Sequence, residues 1–204
     1  MAARSLILMV GLLLPAAAQA QSEAVLRDYF EGRTVKVKLA MPGTEDGVDV
    51  GPLITEKARA GVHELVEDAV SAGARTLVGG AVPDGAGHFY PPTVLVDVPA
   101  SARVFREEIF GPVAPVSTFG DEDEAVRRAN DTEYGLVAYV FTRDHARVLR
   151  VSEALDFGMV GVNTGIVSNP AAPFGGVKHS GFGREGGFEG IEEYLETKYV
   201  GIAL

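Results

Sequence analysis

From Thr55 onward, short apolar runs alternate with stretches of helical periodicity, and each helical stretch opens on a residue able to cap it. Thr55 precedes Ala58, Val62, Leu65, Val66, Ala69 and Val70, a single apolar stripe that Gly73 closes. Residues 76–78 then read as a short strand stopped by Gly79 and Gly80, and residues 93–98 and 113–119 as two more. Asp121 caps a helix through Ala129, and residues 136–142 return to strand. Asp144 then caps a longer helix through Phe157 that Gly158 closes, and residues 159–163 are strand again. This order predicts an α/β fold: a parallel or mixed sheet with flanking helices and right-handed crossovers. There is no internal repeat and no low-complexity tract.

Between the second and third of these strands lies Arg106-Glu107-Glu108-Ile109-Phe110-Gly111-Pro112-Val113-Ala114-Pro115. Two carboxylates stand just before an aromatic ring, with Ile109 between, and Gly-Pro turns the backbone after it. Glycine can take a positive φ and proline fixes its own, so a stiff elbow is expected. Such an elbow can present a carboxylate to both hydroxyls of a ribose and a ring to a flat heterocycle. The plainer alternative makes Phe110 a core residue and both glutamates solvated.

Residues 163–187 show little periodicity, and their Gly, Pro and Phe content favours an ordered, functional loop. Residues 188–196 read as helix and 198–204 as a terminal apolar strand, which needs a partner. Upstream, residues 42–52 read as a loop, and Val35, Val37 and Leu39 alternate with lysines as a strand would. Residues 1–20 stand apart. Arg4 precedes the apolar run 6–14, and Ala18-Gln19-Ala20 places small residues where a signal peptidase reads. They have the form of a secretory signal, with an apolar helix or a spurious upstream start as the alternatives; the run is short for a membrane span.

A chain of 204 residues can bury one core or two small ones. Its net charge of −10 argues against a nucleic-acid surface. It contains no cysteine, which excludes disulfides, thiolate metal sites and thiol nucleophiles within it. His63, His88, His145 and His179 lie at no ligand-like spacing, so no metal site is predicted. Gly181-Phe182-Gly183-Arg184-Glu185-Gly186 fits GxGxxG, but the chain stops too soon for a βαβ unit and Glu185 would face the pyrophosphate. The match is read as accidental.

Glu107-Glu108-Ile109-Phe110-Gly111-Pro112, then Asn130-Asp131-Thr132-Glu133-Tyr134-Gly135-Leu136, then Pro173-Phe174-Gly175-Gly176-Val177-Lys178-His179-Ser180-Gly181 follow one another in order. Together they resemble the NAD(P)-dependent aldehyde dehydrogenase superfamily over residues 42–204, most of all its succinate-semialdehyde branch. The resemblance implies a partial catalytic domain (residues 42–204) behind the signal-like residues 1–20 and a poorly matching lead-in, 21–41. The cofactor-binding half would be absent.

The same resemblance assigns roles. Glu108 would hold the nicotinamide ribose of NAD or NADP, and Phe110 would lie beside the nicotinamide. Phe174 would wall the aldehyde tunnel, Glu185 would relay protons toward a general base, and Ser168 would bind the distal carboxylate of the semialdehyde. On the residues alone, Glu185 is equally a helix-end charge and Ser168 a loop hydroxyl. The family's nucleophilic cysteine and general-base glutamate fall upstream of the part covered, so the chain is expected to be inactive alone. The terminal strand would join a neighbouring subunit's sheet in a homo-oligomer, in a cytoplasmic setting, or in a periplasmic or secreted one if the signal operates. The alternative is a non-catalytic secreted or subunit-interaction module derived from a dehydrogenase.

Overall fold

A threonine hydroxyl starts the first helix. In the computed structural model, which describes residues 50–203 and the strands β1 (Ile7–Met9) and β2 (Leu12–Pro15), helix α1 spans Glu56–Ser71. The Thr55 hydroxyl accepts the Ala58 N–H at 3.1 Å, satisfying one of the orphan donors of the first turn. At the other end Gly73 takes φ +115°. Its N–H donates to Val70 and that of Ala74 to Ala69, the paired bonds of a Schellman stop. Val62, Leu65, Val66 and Ala69 are buried as the stripe predicts, but Val70 is 44% exposed. It sits about a quarter-turn from the centre of that face, so the stripe is narrower than expected.

The chain forms two units, Met1–Ala129 and Asn130–Leu204. In the first, β3 (Arg75–Val78), β4 (Thr93–Val96) and β5 (Val113–Phe119) join β1 and β2 in the order β3-β4-β5-β2-β1. The pairing is mixed: β3 runs antiparallel to β4, β4 parallel to β5, β2 parallel to β5, and β1 antiparallel to β2. A proline in an inner strand would forfeit a ladder bond. Here Val113–Pro115 pairs with β4 and Val116–Phe119 with β2, so Pro115 falls where the partner changes. Strand β4 stops at Val96, two residues early. Asp97 adopts φ +55° and its carboxylate pairs with the Arg75 guanidinium at 2.9 Å. Helix α1 lays its apolar face on Tyr90, Leu95, Val98, Ala102 and Val104, with Ile109 and Val113 packed at the edge. Helix α2 (Glu122–Asn130) opens on Asp121, whose carboxylate accepts the Glu124 N–H at 2.8 Å.

In the second unit β6 (Tyr134–Gly135) pairs with β9 (Val177–Lys178) antiparallel. Strand β7 (Val137–Phe141) runs parallel to β8 (Met159–Val162), joined through helix α3 (His145–Ala154). Asp144 caps α3 by accepting the Arg147 N–H at 3.1 Å, and that bond holds its carboxyl below the usual range.

Helix α3 ends at Ala154, not Phe157. The Asn130 amide takes the Ala154 carbonyl at 2.8 Å and the Asp156 N–H at 2.9 Å, intercepting both groups a further turn would use. Gly158 therefore closes no helix. A side chain there would strike the Gly175 carbonyl, which is why glycine occupies the approach to β8. Residues 188–196 hold a 3-10 helix, Glu189–Tyr194, in place of an α-helix. Gly190 lies inside it, and Glu189 repels Glu192 and Glu193 at helical spacing.

Among the described residues, 198–203 form no strand; the strand expected there is one that a neighbouring subunit's sheet would complete. The alternation at Val35, Val37 and Leu39 lies outside the described residues. The apolar run near the start is extended at β1 and β2, not helical. Among the described residues no helix is long and apolar enough to cross a membrane.

Candidate functional site

Two groups of flagged residues take shape, one in each unit. In the first, the segment after β4 begins with a 3-10 turn, Arg103–Phe105. Arg103 organises the residues just beyond that turn. Its carbonyl accepts the N–H groups of Arg106 and Glu107, each at 2.8 Å, and its guanidinium grips the Glu107 carboxylate through Nε at 2.6 Å and Nη2 at 3.0 Å. This fork pulls the Glu107 carboxyl below its ordinary range and raises the arginine.

Glu107 is thus committed, whereas Glu108 is exposed and has no hydrogen-bond or ion-pair partner among the described residues. Ile109 turns inward onto the core, and Phe110 is 75% exposed. The alternative that made Phe110 a core residue is therefore overturned: Ile109 takes the core position, leaving the carboxylate and the ring outside on either side of it.

Gly111 keeps a negative or extended φ, so the elbow does not use the positive φ expected of it. Glycine is required for a different reason. A Cβ at position 111 would lie 2.7 Å from Cγ2 of Val62 on α1. The backbone passes directly over the helix, and the Pro112 carbonyl then accepts the Thr93 N–H at 2.8 Å as β5 begins. A carboxylate with no partner among the described residues and an exposed ring, on a backbone fixed at both ends, can accept hydrogen bonds from a pair of hydroxyls and give a flat ring a surface to rest on.

In the second unit Phe174 and Glu185 are brought face to face. They form an antiparallel bridge, Phe174 N to Glu185 O at 2.6 Å and Glu185 N to Phe174 O at 2.7 Å. Such a pair places both side chains on the same side of the ribbon. Phe174 is half-buried and Glu185 exposed. Arg184 stiffens the bend by donating to the carbonyls of Gly176 at 2.8 Å and Gly183 at 2.7 Å. Ser168 is exposed on the preceding loop, and no hydrogen bond joins it to either residue. The loop is tied alongside by the Gly187 N–H, which donates to Pro170 at 3.2 Å.

Gly181, Gly183 and Gly186 all have positive φ, but only the 3-10 helix comes after them. They make a turn that returns Glu185 to Phe174, and no helix N-terminus is offered to a phosphate. Among the described residues no group of three His, Cys, Asp or Glu side chains could hold a metal ion.

One set of residues carried no chemical signal in the sequence. Lys178, at φ +56°, donates to the carbonyls of Asn130 at 3.2 Å and Thr132 at 3.3 Å and lies 5.7 Å from the Phe157 ring centre. The Ser180 hydroxyl accepts the Gly135 N–H at 3.0 Å, and His179 meets Glu133 at 3.3 Å. The motifs 130–136 and 173–181 are therefore two halves of one clamp. The only signal for it was their co-occurrence, since spacing alone cannot show that segments more than 40 residues apart interlock.

The chain is similar to known proteins. The sequence profile of the aldehyde dehydrogenase family matches residues 19–200. The chain is 60% identical over 161 residues to a succinate-semialdehyde dehydrogenase of Paenarthrobacter nicotinovorans, covering 79% of this chain and 36% of that protein. It is 56% identical over 162 residues to a glutarate-semialdehyde dehydrogenase of Pseudomonas putida, covering 79% and 33%. Among solved structures, an Escherichia coli NADP-dependent enzyme superposes with a TM-score of 0.82 at 49% identity, over 93% of this chain and 38% of that one. The chain thus spans about a third of the length of the proteins it matches.

Proposed function

The chain belongs to the aldehyde dehydrogenase family, and from that premise we propose that it supplies part of a site oxidising the semialdehyde of a short dicarboxylic acid to the acid with NAD(P)+. The observation that carries this reading is the corner at Glu108 and Phe110, a carboxylate without a partner among the described residues and a ring 75% exposed, held on either side of an inward Ile109. Glu108 holds the nicotinamide ribose and Phe110 rests against the nicotinamide, which accepts a hydride when bound. Phe174 lines the aldehyde's path, Glu185 moves a proton toward a base outside this sequence, and the Ser168 hydroxyl donates to the substrate's far carboxylate. Close identity to both succinate- and glutarate-semialdehyde dehydrogenases supports the substrate class without choosing a chain length.

The family's covalent step needs a thiolate to attack the aldehyde carbon. This sequence has no cysteine, so that group must come from elsewhere, and the chain alone cannot form the covalent adduct. The purified chain, given succinate semialdehyde and NAD+ or NADP+, is expected to reduce neither; turnover above the buffer rate would overturn this. Nicotinamide mononucleotide tests the corner directly. Its saturation-transfer NMR signal is expected with the wild-type chain and lost in Glu108→Ala and Phe110→Ala, whereas equal signals from all three would remove the assignment. We propose further that the exposed apolar tail, with Tyr199, Val200 and Ile202, pairs with a second copy of the chain.

A further inference from the structure

The 3-10 turn Arg103–Phe105, which sets up the nicotinamide corner, lacks a cap of its own. Its N-cap residue is Ala102, which has no side-chain acceptor. The missing acceptor comes from 35 residues upstream, where the Asp68 carboxylate on α1 accepts the Arg103 N–H through Oδ2 at 3.0 Å. Arg103 then passes the constraint onward. Its carbonyl takes the Arg106 and Glu107 N–H groups, and its guanidinium holds the Glu107 carboxylate. Glu108 is the very next residue. Three residues later the same helix meets the corner again, where Gly111 passes over Val62. Helix α1 therefore grips the corner at both ends, by a charge-assisted hydrogen bond at Asp68 and by steric contact at Val62.

We propose that Asp68 is a positioning residue for the cofactor corner: it caps the Arg103 turn from a remote helix and so fixes the direction in which Glu108 and Phe110 present themselves. The proposal deepens the assignment of those two residues and rests on it. Asp68 is assigned no contact with substrate or cofactor; it acts through Arg103. Its effect is preorganisation, since a corner already held in its binding geometry loses less freedom when a ligand arrives.

The test is amide hydrogen exchange across residues 103–111 of the full chain, with far-ultraviolet circular dichroism to confirm the fold. Asp68→Ala is expected to speed exchange at Arg103, Arg106 and Glu107 by about tenfold, the size of one lost charge-assisted bond. Exchange in the middle of α1 should not change. Asp68→Asn keeps an acceptor oxygen and is expected to restore most of the protection, an outcome that a general loss of helix stability would not produce. Asp68→Leu keeps the bulk and the helix propensity, so it serves as the acceptor-free variant should the alanine chain fail to fold. Nicotinamide mononucleotide binding is expected to weaken about threefold or more in the acceptor-free variants and to recover in Asp68→Asn. Unchanged exchange at 103–107 in the acceptor-free chains, or no recovery with asparagine, overturns the proposal. If the wild-type chain binds no nicotinamide mononucleotide while exchange behaves as expected, the cofactor assignment of Glu108 and Phe110 fails and the clamp stands.

Discussion

Position 111 shows how a single missing methyl group shapes the candidate site. The backbone there does not need glycine's conformational freedom; it needs the space, because Val62 lies 2.7 Å from where a Cβ would be. Gly111→Ala should therefore cost about 1–3 kcal/mol through overpacking, with no backbone penalty added. Val62, 4% exposed, is the residue in the way. Thermal or denaturant unfolding of Gly111→Ala, Val62→Ala and the double variant closes a cycle. The double variant should be less destabilised than the sum of the singles, with a coupling of about 0.5–3 kcal/mol. Strict additivity would mean that the corner does not bear on α1. The residues alone left Phe110 open between a ring presented outward and a core position, and its exposure favours the outward one. Sequence alone misjudged why the glycine is there. A steric contact between residues 62 and 111 leaves no mark on either neighbourhood.

Elements obey the same division between local and remote causes. Thr55, Asp121 and Asp144 begin helices as read from the sequence, since a cap and its N–H lie three residues apart. The end of α3 was misplaced because Asn130, 24 residues before Ala154, takes the carbonyl there. The pairing of Phe174 with Glu185 was likewise hidden, although each residue had been singled out. Helix α1 also depends on a remote partner, Tyr90, which is 1% exposed and whose hydroxyl lies 3.2 Å from Nδ1 of His63. Burial, with a smaller contribution from the Glu67 charge, pushes the Tyr90 pKa from 10.0 to about 12. The folded value lies above the unfolded one. The stability this gives is therefore complete below pH 10.0 and disappears as pH rises toward about 12. Ultraviolet titration of wild type minus Tyr90→Phe should show a phenol ionising near the upper value, and their difference in unfolding free energy should change over that same interval. A midpoint at the ordinary value would show that the ring is not sequestered in solution.

For the whole molecule, the question is what satisfies the apolar surface at the carboxy-terminal end. Tyr199 is 92% exposed, Val200 67% and Ile202 79%, on a stretch with no ladder among the described residues. The N–H and C=O groups of this stretch have no ladder partner among the described residues, and a sheet edge is the structure best able to satisfy them all. A few residues of strand bury far less than the roughly 1,000 Å² of a stable interface, so pairing must be reciprocal or be joined by neighbouring surface. Phe188, Ile191, Tyr194 and Leu195 are also exposed and can contribute. Sedimentation velocity across a range of concentrations is therefore expected to show self-association of the full chain. Removing residues 198–204 should shift the species to monomer without altering the far-ultraviolet spectrum, because residues 198–203 take no part in the sheets of the described residues. Val200→Lys should weaken association while leaving the backbone bonds available, by placing a charge where an apolar side chain would be buried. If the truncated chain sediments as the full one does, the tail is not the contact, and the exposed surface around Phe188 and Tyr194 becomes the place to introduce the next charge.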